Sequence, residues 1–303
     1  MAQPKRARFY LEDDLRKSAV AGKHNFIARI TSVLHSAGFE VTFHPNTMAE
    51  RIKAAGRRGY ALCHMTPPPN ARSLTFRRVY HYPFWQIQAS DQRWEWDVAR
   101  AGFDAAACPR AEADRFFGFW RKRIAGPLLD HVADDDFIYV PLQGRITEQR
   151  SFQSCSPIEM IRKTRAAFPD MRVIATLHPK ETYTQGDMAE LEALQGGDPR
   201  LEVEMGGRDR LLPRCSFIVT QTSSVAFDGM FFGKPSAVFG KTDFHHVMVD
   251  GRDADAFAAV RAHRADYAAY LWWFWQNMAI NAGHDSAEAK IRAKLAAAGW
   301  PVV

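Results

Sequence analysis

The apolar residues of this chain fall into short continuous runs separated by stretches of helical spacing, the pattern of buried strands alternating with amphipathic helices. His24–Ser36 carries Phe26, Ile27, Ile30, Val33 and Leu34 at helical spacing, with Gly38 as a stop. Residues 39–43 then read as a strand, 46–56 as a helix ending at Gly56, and 60–65 as a strand broken by Pro67-Pro68-Pro69. Residues 80–104 are crowded with aromatics (among them Trp85, Trp94, Trp96 and Phe103), which fits core or domain-interface packing, or a platform on which a sugar stacks.

A second series begins after the charged run Asp134-Asp135-Asp136. Residues 137–142 predict a strand. Ser156-Pro157-Ile158-Glu159 predicts a helix start, with a Ser cap, Pro in the first turn and Glu three residues after the cap, running to about Phe168. Strands at 172–177, 201–204, 216–220 and 236–239 alternate with helices at 187–195, 208–213 and 224–232. The tail predicts one helix over 256–279 and a capped one from Asp285 to about Ala298. Tyr270–Met278 is apolar all round (Leu271, Trp272, Trp273, Phe274, Trp275), so it is read either as a wedge between domains or as a membrane-interface helix. The alternation predicts an α/β fold of open parallel sheets in three parts: a Rossmann-like domain over 1–132, a second over 133–260, and C-terminal helices over 261–303.

Charge changes this picture in one respect. The chain carries +6 overall, but residues 1–132 hold 21 Lys and Arg against 12 Asp and Glu, leaving the remainder net negative. Arg57/Arg58, Arg77/Arg78 and Arg121-Lys122-Arg123 carry much of the excess, which suits an anionic glycan or an anionic membrane surface, or is simply solvated helix surface. No helix-turn-helix, zinc-finger or ribonucleoprotein signature accompanies it, so nucleic acid is not an expected partner. Cys63, Cys108, Cys155 and Cys215 are scattered and the basic N-terminus precedes no apolar signal core, so a cytoplasmic protein with reduced thiols is expected. No uninterrupted apolar run has the roughly 20 residues a membrane span needs.

Candidate chemistry gathers where predicted strands end. In an open parallel sheet, ligands bind beyond the carboxyl ends of the strands. Three such ends carry polar groups: Gln143-Gly144-Arg145, His178-Pro179-Lys180 and Thr222-Ser223-Ser224. Pro179 holds His178 extended at its strand tip. Its imidazole can donate to a phosphate oxygen or protonate it, and Lys180 adds charge. The three hydroxyls exceed what a helix cap requires, and a helix start attracts anions.

Val-Pro-Leu-Gln (140–143), Leu-His-Pro (177–179) and the run Thr-Gln-Thr-Ser-Ser-Val-Ala-Phe-Asp-Gly-Met-Phe-Phe-Gly-Lys-Pro (220–235) resemble the bacterial capsule polysaccharide biosynthesis family, which includes the Kdo transferases of capsule export. The resemblance covers roughly 137–246. It implies a GT-B arrangement, two Rossmann-like doubly wound domains facing a cleft, with a nucleotide-activated donor on the C-terminal one. It also implies a CMP-linked acidic sugar as donor, with His178-Pro179 and Ser223-Ser224 engaging its phosphate. The same segments resemble the CDP-glycerol polymerases of teichoic-acid synthesis, so a CDP-alcohol phosphotransferase is the alternative, and a non-catalytic glycan-binding assembly subunit is another.

An inverting transfer also needs a base for the acceptor hydroxyl. Glu95 and Asp97, set between Trp94 and Trp96, are the carboxylates singled out in the aromatic segment, with His64 and His81 as further candidates. No metal or other cofactor is expected. Asp253-Ala-Asp255 reads as a helix cap rather than a metal motif, and His245-His246, if extended, point to opposite sides. The expected partners are a nucleotide-sugar donor and an anionic glycan or lipid-linked acceptor, met at the inner face of the cytoplasmic membrane.

Overall fold

In the computed structural model, which describes residues 3–302, the apolar runs assemble into two six-stranded sheets. The first strands are β1 (Arg6–Leu11), β2 (Glu40–Pro45), β3 (Tyr60–His64), β4 (Ser73–Arg78) and β5 (Phe84–Gln88), interleaved with α1 (Asp13–Val20), α2 (Asn25–Ser36) and α3 (Met48–Gly56). Helices α4 (Asp97–Arg100) and α5 (Arg110–Ala125) lead to β6 (Phe137–Pro141), β7 (Arg172–Leu177), β8 (Leu201–Met205), β9 (Phe217–Thr220), β10 (Ser236–Val238) and β11 (Val249–Asp250). Between these strands lie α6 (Pro157–Ala167), α7 (Gln185–Gly196), α8 (Arg208–Leu211) and α9 (Ser224–Gly229), and α10 (Ala254–Ala258) follows. The tail holds α11 (Tyr267–Trp272), β12 (Ile280–Asn281) and α12 (Ala287–Ala297).

The first sheet runs β12-β5-β4-β3-β1-β2, parallel from β2 to β4 and antiparallel at β5 and β12. Its core joins Phe9, Phe26, Ile30, Phe76 and Trp85 to Ile291 and Leu295 of α12. The second sheet, β11-β10-β9-β6-β7-β8, is parallel throughout, and β6, β9 and β10 have every residue buried. Complete burial is why these strands read as unbroken apolar runs. The expected helix caps are present: Ser156 accepts a hydrogen bond from the Glu159 amide with Pro157 in the first turn, and the turn after α9 ends in left-handed Gly233.

The chain divides differently from the boundaries expected at 132/133 and 260/261. Gly102–Trp272 forms one unit, and the segment up to Ala101 joins the segment from Trp273 onward in the other. Side-chain packing explains the shift. Helix α5 belongs with the second sheet because Phe117 stacks on Phe231 and Arg121 Nε donates to the Phe231 carbonyl. The acidic run at the expected boundary is stapled within that unit, Asp135 to Arg214, and Asp134 and Asp136 to Arg261.

The helix expected over 256–279 does not form as one piece. It breaks after Ala258, restarts at α11 with Asp266 capping the Ala269 amide, and passes into a π-helical turn over Trp273–Asn277. Trp275 is fully buried, stacks on Phe84 at 4.4 Å and donates Nε1–H to the Val79 carbonyl. Its apolar side is spent inside the protein rather than offered to a bilayer. No helix among the described residues is long and apolar enough to cross a membrane.

Three partly buried histidines of the first unit give it a pH dependence. Burial pushes His24, His44 and His64 below the ordinary histidine value; the charge of His64 adds to this at His24, and Arg57 adds at His44. The unfolded chain therefore binds more protons than the folded one below about pH 6.5. The stability these neutral rings contribute is present above that pH and is lost as pH falls through their lowered values. Urea midpoints should fall between pH 7.5 and 5.5, and His44→Gln should flatten part of that slope; a pH-independent midpoint would contradict it.

Candidate functional site

In the second sheet the chain runs from β6 to β7 and β8 on one side, then returns to β9, β10 and β11 on the other. The strand order reverses between β6 and β9, the position at which open α/β sheets bind ligands beyond their carboxyl ends. All three polar tips read from the sequence border this point. Register places Pro141 opposite Thr176, and Thr220 Oγ1 donates to the Pro141 carbonyl, so the three strands end at one level. Two strand spacings, about 10 Å, separate the β7 tip from the β9 tip, with Gln143–Arg145 between them.

Each tip is fixed by local bonds. Gly144 and Arg145 both turn with positive φ, 39° and 20°, and a Cβ on Gly144 would come within 3.0 Å of Glu181 Oε2, so the loops after β6 and β7 touch. His178 is exposed. Its amide donates to the Tyr183 hydroxyl at 2.7 Å and its Nδ1 accepts from the Lys180 amide at 3.2 Å. That second bond sets the neutral tautomer, with Nε2 carrying the proton outward as a donor. Ser223 is buried and its Oγ caps α9 by accepting from the Val225 amide, which leaves its O–H proton to donate; Ser224 is exposed and Thr222 half-buried.

Sequence reasoning missed a ring of buried polar groups beneath these tips. Arg150 Nε, Gln153 Nε2, Gln221 Oε1 and Thr242 Oγ1 are all buried without a hydrogen-bond partner among the described residues. They follow β6, β9 and β10 and are drawn together at Gly240, where a Cβ would lie 2.6 Å from Thr222 Cγ2 and 3.0 Å from the Gln221 carbonyl. Gln153 bridges to Gly240, and Gln221 Nε2 donates to the Cys155 carbonyl. Buried polar atoms are rarely left unpaired, so four in adjoining loops call for a partner such as water or a bound polar group. Arg150 stacks on Phe152 at 4.8 Å. Burial pushes its guanidinium down, with Arg145 repelling it and Glu181 opposing the shift. An anion seated beside it would relieve that strain.

Asp228 of the Phe-Asp-Gly segment is buried and ion-paired to Arg208 at 2.6 Å, tying α9 to α8. Asp253 caps α10, as expected. His245 and His246 do not diverge: the chain there is a 3-10 turn, not extended, and the rings stack at 4.2 Å. No group of three or more His, Cys, Asp and Glu among the described residues is arranged to hold a metal ion.

Glu95 and Asp97 lie in the first unit. Exposed Glu95 accepts from Ser90 Oγ at 2.6 Å. Burial raises the Asp97 carboxyl, but Lys294, Arg100 and Gln88 more than offset it and hold it below the usual carboxylate range. Asp97 thus serves as the anchor of α12 through Lys294. Five of this unit's basic residues, Lys5, Arg6, Arg8, Arg57 and Arg58, line a pocket of about 630 Å³ together with Glu40.

No family model matches the chain, and no curated protein matches it in sequence. Among solved structures it resembles the beta Kdo 2,7 transferase KpsC of Thermosulfurimonas dismutans, with a TM-score of 0.54 at 13% identity over 96% of this chain and 98% of that one. The fold is of the GT-B class. The wall teichoic acid polymerase TagF (H548A) and the S. aureus MnaA–UDP co-structure align more loosely, with TM-scores of 0.32 and 0.33 at 9% and 11% identity, over 98% and 89% of this chain and 90% and 96% of theirs. At this identity the likeness is one of fold, and the two six-stranded sheets match the doubly wound pair expected from the sequence.

Proposed function

We propose that this chain is a glycosyltransferase of capsule or surface-polysaccharide assembly that takes a nucleotide-activated acidic sugar, CMP-linked, as donor. The observation that carries the reading is the meeting of three polar strand tips and four unpaired buried polar groups at the switch point of the second sheet. A polar, phosphate-bearing ligand completes such a site. The KpsC fold, whose own product linkage is a Kdo sugar, supports an acidic sugar.

In this reading His178 Nε2–H and the hydroxyls of Thr222, Ser223 and Ser224 hold the donor phosphate, with Lys180, Arg145 and Arg150 supplying positive charge. Gln143, Gly144 and Pro179 shape the tips around the nucleotide. The bond from the anomeric carbon to the phosphate oxygen breaks, its electron pair stays on that oxygen, and these donors stabilise it, so no metal is called for. An acceptor oxygen attacks from the opposite face, inverting the centre, and its proton passes to a base. The basic pocket of the first unit suits an anionic or lipid-linked acceptor at the inner membrane face. Because Asp97 is committed to Lys294, we assign the base to neither Asp97 nor exposed Glu95.

A screen of CMP-, CDP-, UDP- and GDP-linked donors with mass-spectrometric product detection tests the reading. CMP release coupled to glycosylation of an acidic glycan is expected. Turnover of CDP-glycerol instead would move the attacked atom to phosphorus, and glycan retention without nucleotide affinity would remove the enzyme reading altogether.

A further inference from the structure

The two faces of the first sheet are finished differently. Alternation along β1 sends Ala7, Phe9 and Leu11 into the core with residues of α2 and α12. Arg6, Arg8 and Tyr10 take the other face, which closes where Ala54 of α3 clusters with Tyr10, Ala61 and Cys63. Around Arg6 and Arg8 that face opens into the basic pocket. Parallel strands are normally covered on both sides, so an open, cation-lined stretch of them invites an occupant.

The backbone around the pocket is held from several directions. Gly59, at φ 97°, brings the loop before β3 against the start of β1: a Cβ there would lie 2.7 Å from the Arg6 carbonyl, and its amide donates to Gln3 Oε1 at 3.0 Å. Three successive carbonyls of that loop accept from guanidinium groups, those of Arg57 and Gly59 from Arg72 and that of Arg58 from Arg8 at 2.8 Å. Lys5 Nζ donates to the Ala37 carbonyl at 2.8 Å, after the end of α2.

Charge matching inside the pocket is incomplete. Arg6 pairs with Glu40 at 2.7 Å and Arg57 with Glu50 at 3.0 Å. Lys5 and half-buried Arg8 bond to backbone carbonyls and have no carboxylate partner among the described residues. Their field is felt nearby: after burial and Arg57, Arg8 also pushes His44 down, against Glu50. A ligand carboxylate would match one of these two cations. A phosphate monoester carries close to two charges at neutral pH and presents several oxygens to a guanidinium fork.

We propose that this pocket binds a phosphate monoester or diphosphate group through Lys5 and Arg8. The site is built wholly within the first unit and stands whether or not the chain transfers a sugar. Its volume of about 630 Å³ is that of a small-molecule site. It lies at the amino ends of the strands, since Arg6 and Glu40 begin β1 and β2, and Arg57 and Arg58 precede β3. The strand rise puts Arg6 about 16 Å from Leu11 at the carboxyl end, where open sheets place their reacting ligands. The pocket is therefore a holding site, whose phosphate is bound and not attacked. Such a group arrives either as a lipid headgroup or on a soluble phosphoester.

Lys5→Gln/Arg8→Gln in the full-length protein tests the site, with Lys17→Gln/Lys23→Gln removing the same charge elsewhere in the unit. Inorganic pyrophosphate, followed by calorimetry at low salt, should bind the wild type, and the pocket variant should weaken that binding about tenfold or more while the control does not. Lys5→Arg/Arg8→Lys keeps the charge and should retain most of the affinity, which separates lost charge from a disturbed loop. Phosphatidic acid vesicles that bind the wild type but not the pocket variant, with phosphatidylcholine vesicles unbound by both, identify a lipid headgroup. Variant-sensitive pyrophosphate binding without vesicle binding identifies a soluble phosphoester. No binding of either probe by the wild type, equal affinities in wild type and pocket variant, or an equal loss in the control overturns the proposal. Succinate bound as tightly as pyrophosphate overturns it too. None of these readings uses donor turnover, so the site and the glycosyl-transfer reading fail separately.

Discussion

His178→Ala is expected to reduce transfer by about 10²–10⁴-fold while leaving the fold as stable as before, within about 0.5 kcal/mol. The rate estimate follows from what the ring offers. Its Nδ1 is occupied by the Lys180 amide, so the only proton it can present is on Nε2, where a phosphate oxygen develops charge as the sugar leaves. The stability estimate follows from its position: the side chain is exposed, and the tip is held by backbone bonds to Tyr183 and Glu181 that alanine does not remove. His178→Gln separates two roles, since an amide N–H restores a hydrogen bond but cannot transfer a proton to the leaving oxygen. Partial recovery with Gln identifies a donor; equal loss in both identifies an acid. Full activity in the alanine variant would take His178 out of the mechanism.

How much of this could be read from the sequence depended on how each residue's environment was built. The strands of the second sheet announced themselves because both faces are buried, which leaves no polar alternation to obscure them. Strand β1 did not, because Arg6 and Arg8 alternate with buried Ala7 and Phe9 and read as a basic terminus. The contact of Glu12 with His64 was invisible for a different reason: the two lie 52 residues apart, and only the parallel pairing of β1 with β3 makes them neighbours.

The tips at 143–145, 178–180 and 222–224 were legible as polar groups ending apolar runs, whereas Gln153, Gln221 and Thr242 are single polar residues whose significance appears once Gly240 draws their loops together. The broken helix after 256 had a signal that periodicity overrode, the Asp266 cap ahead of Ala269. Apolar spacing alone cannot distinguish one long helix from two whose joint is satisfied by a capping side chain.

Asp228→Ala should destabilise the second unit by about 1–3 kcal/mol, because it removes the more buried of the two carboxylates that pair with Arg208 and leaves only Asp209 to compensate it. The figure is kept at the lower end because Arg208 is 38% exposed and can recover part of its hydration. Burial works against the Arg208 charge, and the carboxylates of Asp228 and Asp209 together more than offset it, holding the guanidinium above its ordinary value. For a unit of this size the loss corresponds to a melting temperature lowered by several degrees. Arg208→Ala should cost a comparable amount, since it removes a charged partner from a carboxylate that is only 10% exposed. The double variant should cost less than the sum by about 1–3 kcal/mol, the signature of a direct pair. Function should follow stability here: α9 carries the Ser223 cap at its start and is tied to α8 through this bond, so nucleotide affinity should weaken in either single variant. Strict additivity in the double variant, or single variants that melt with the wild type, would show that α9 is held by its apolar packing on β9 alone.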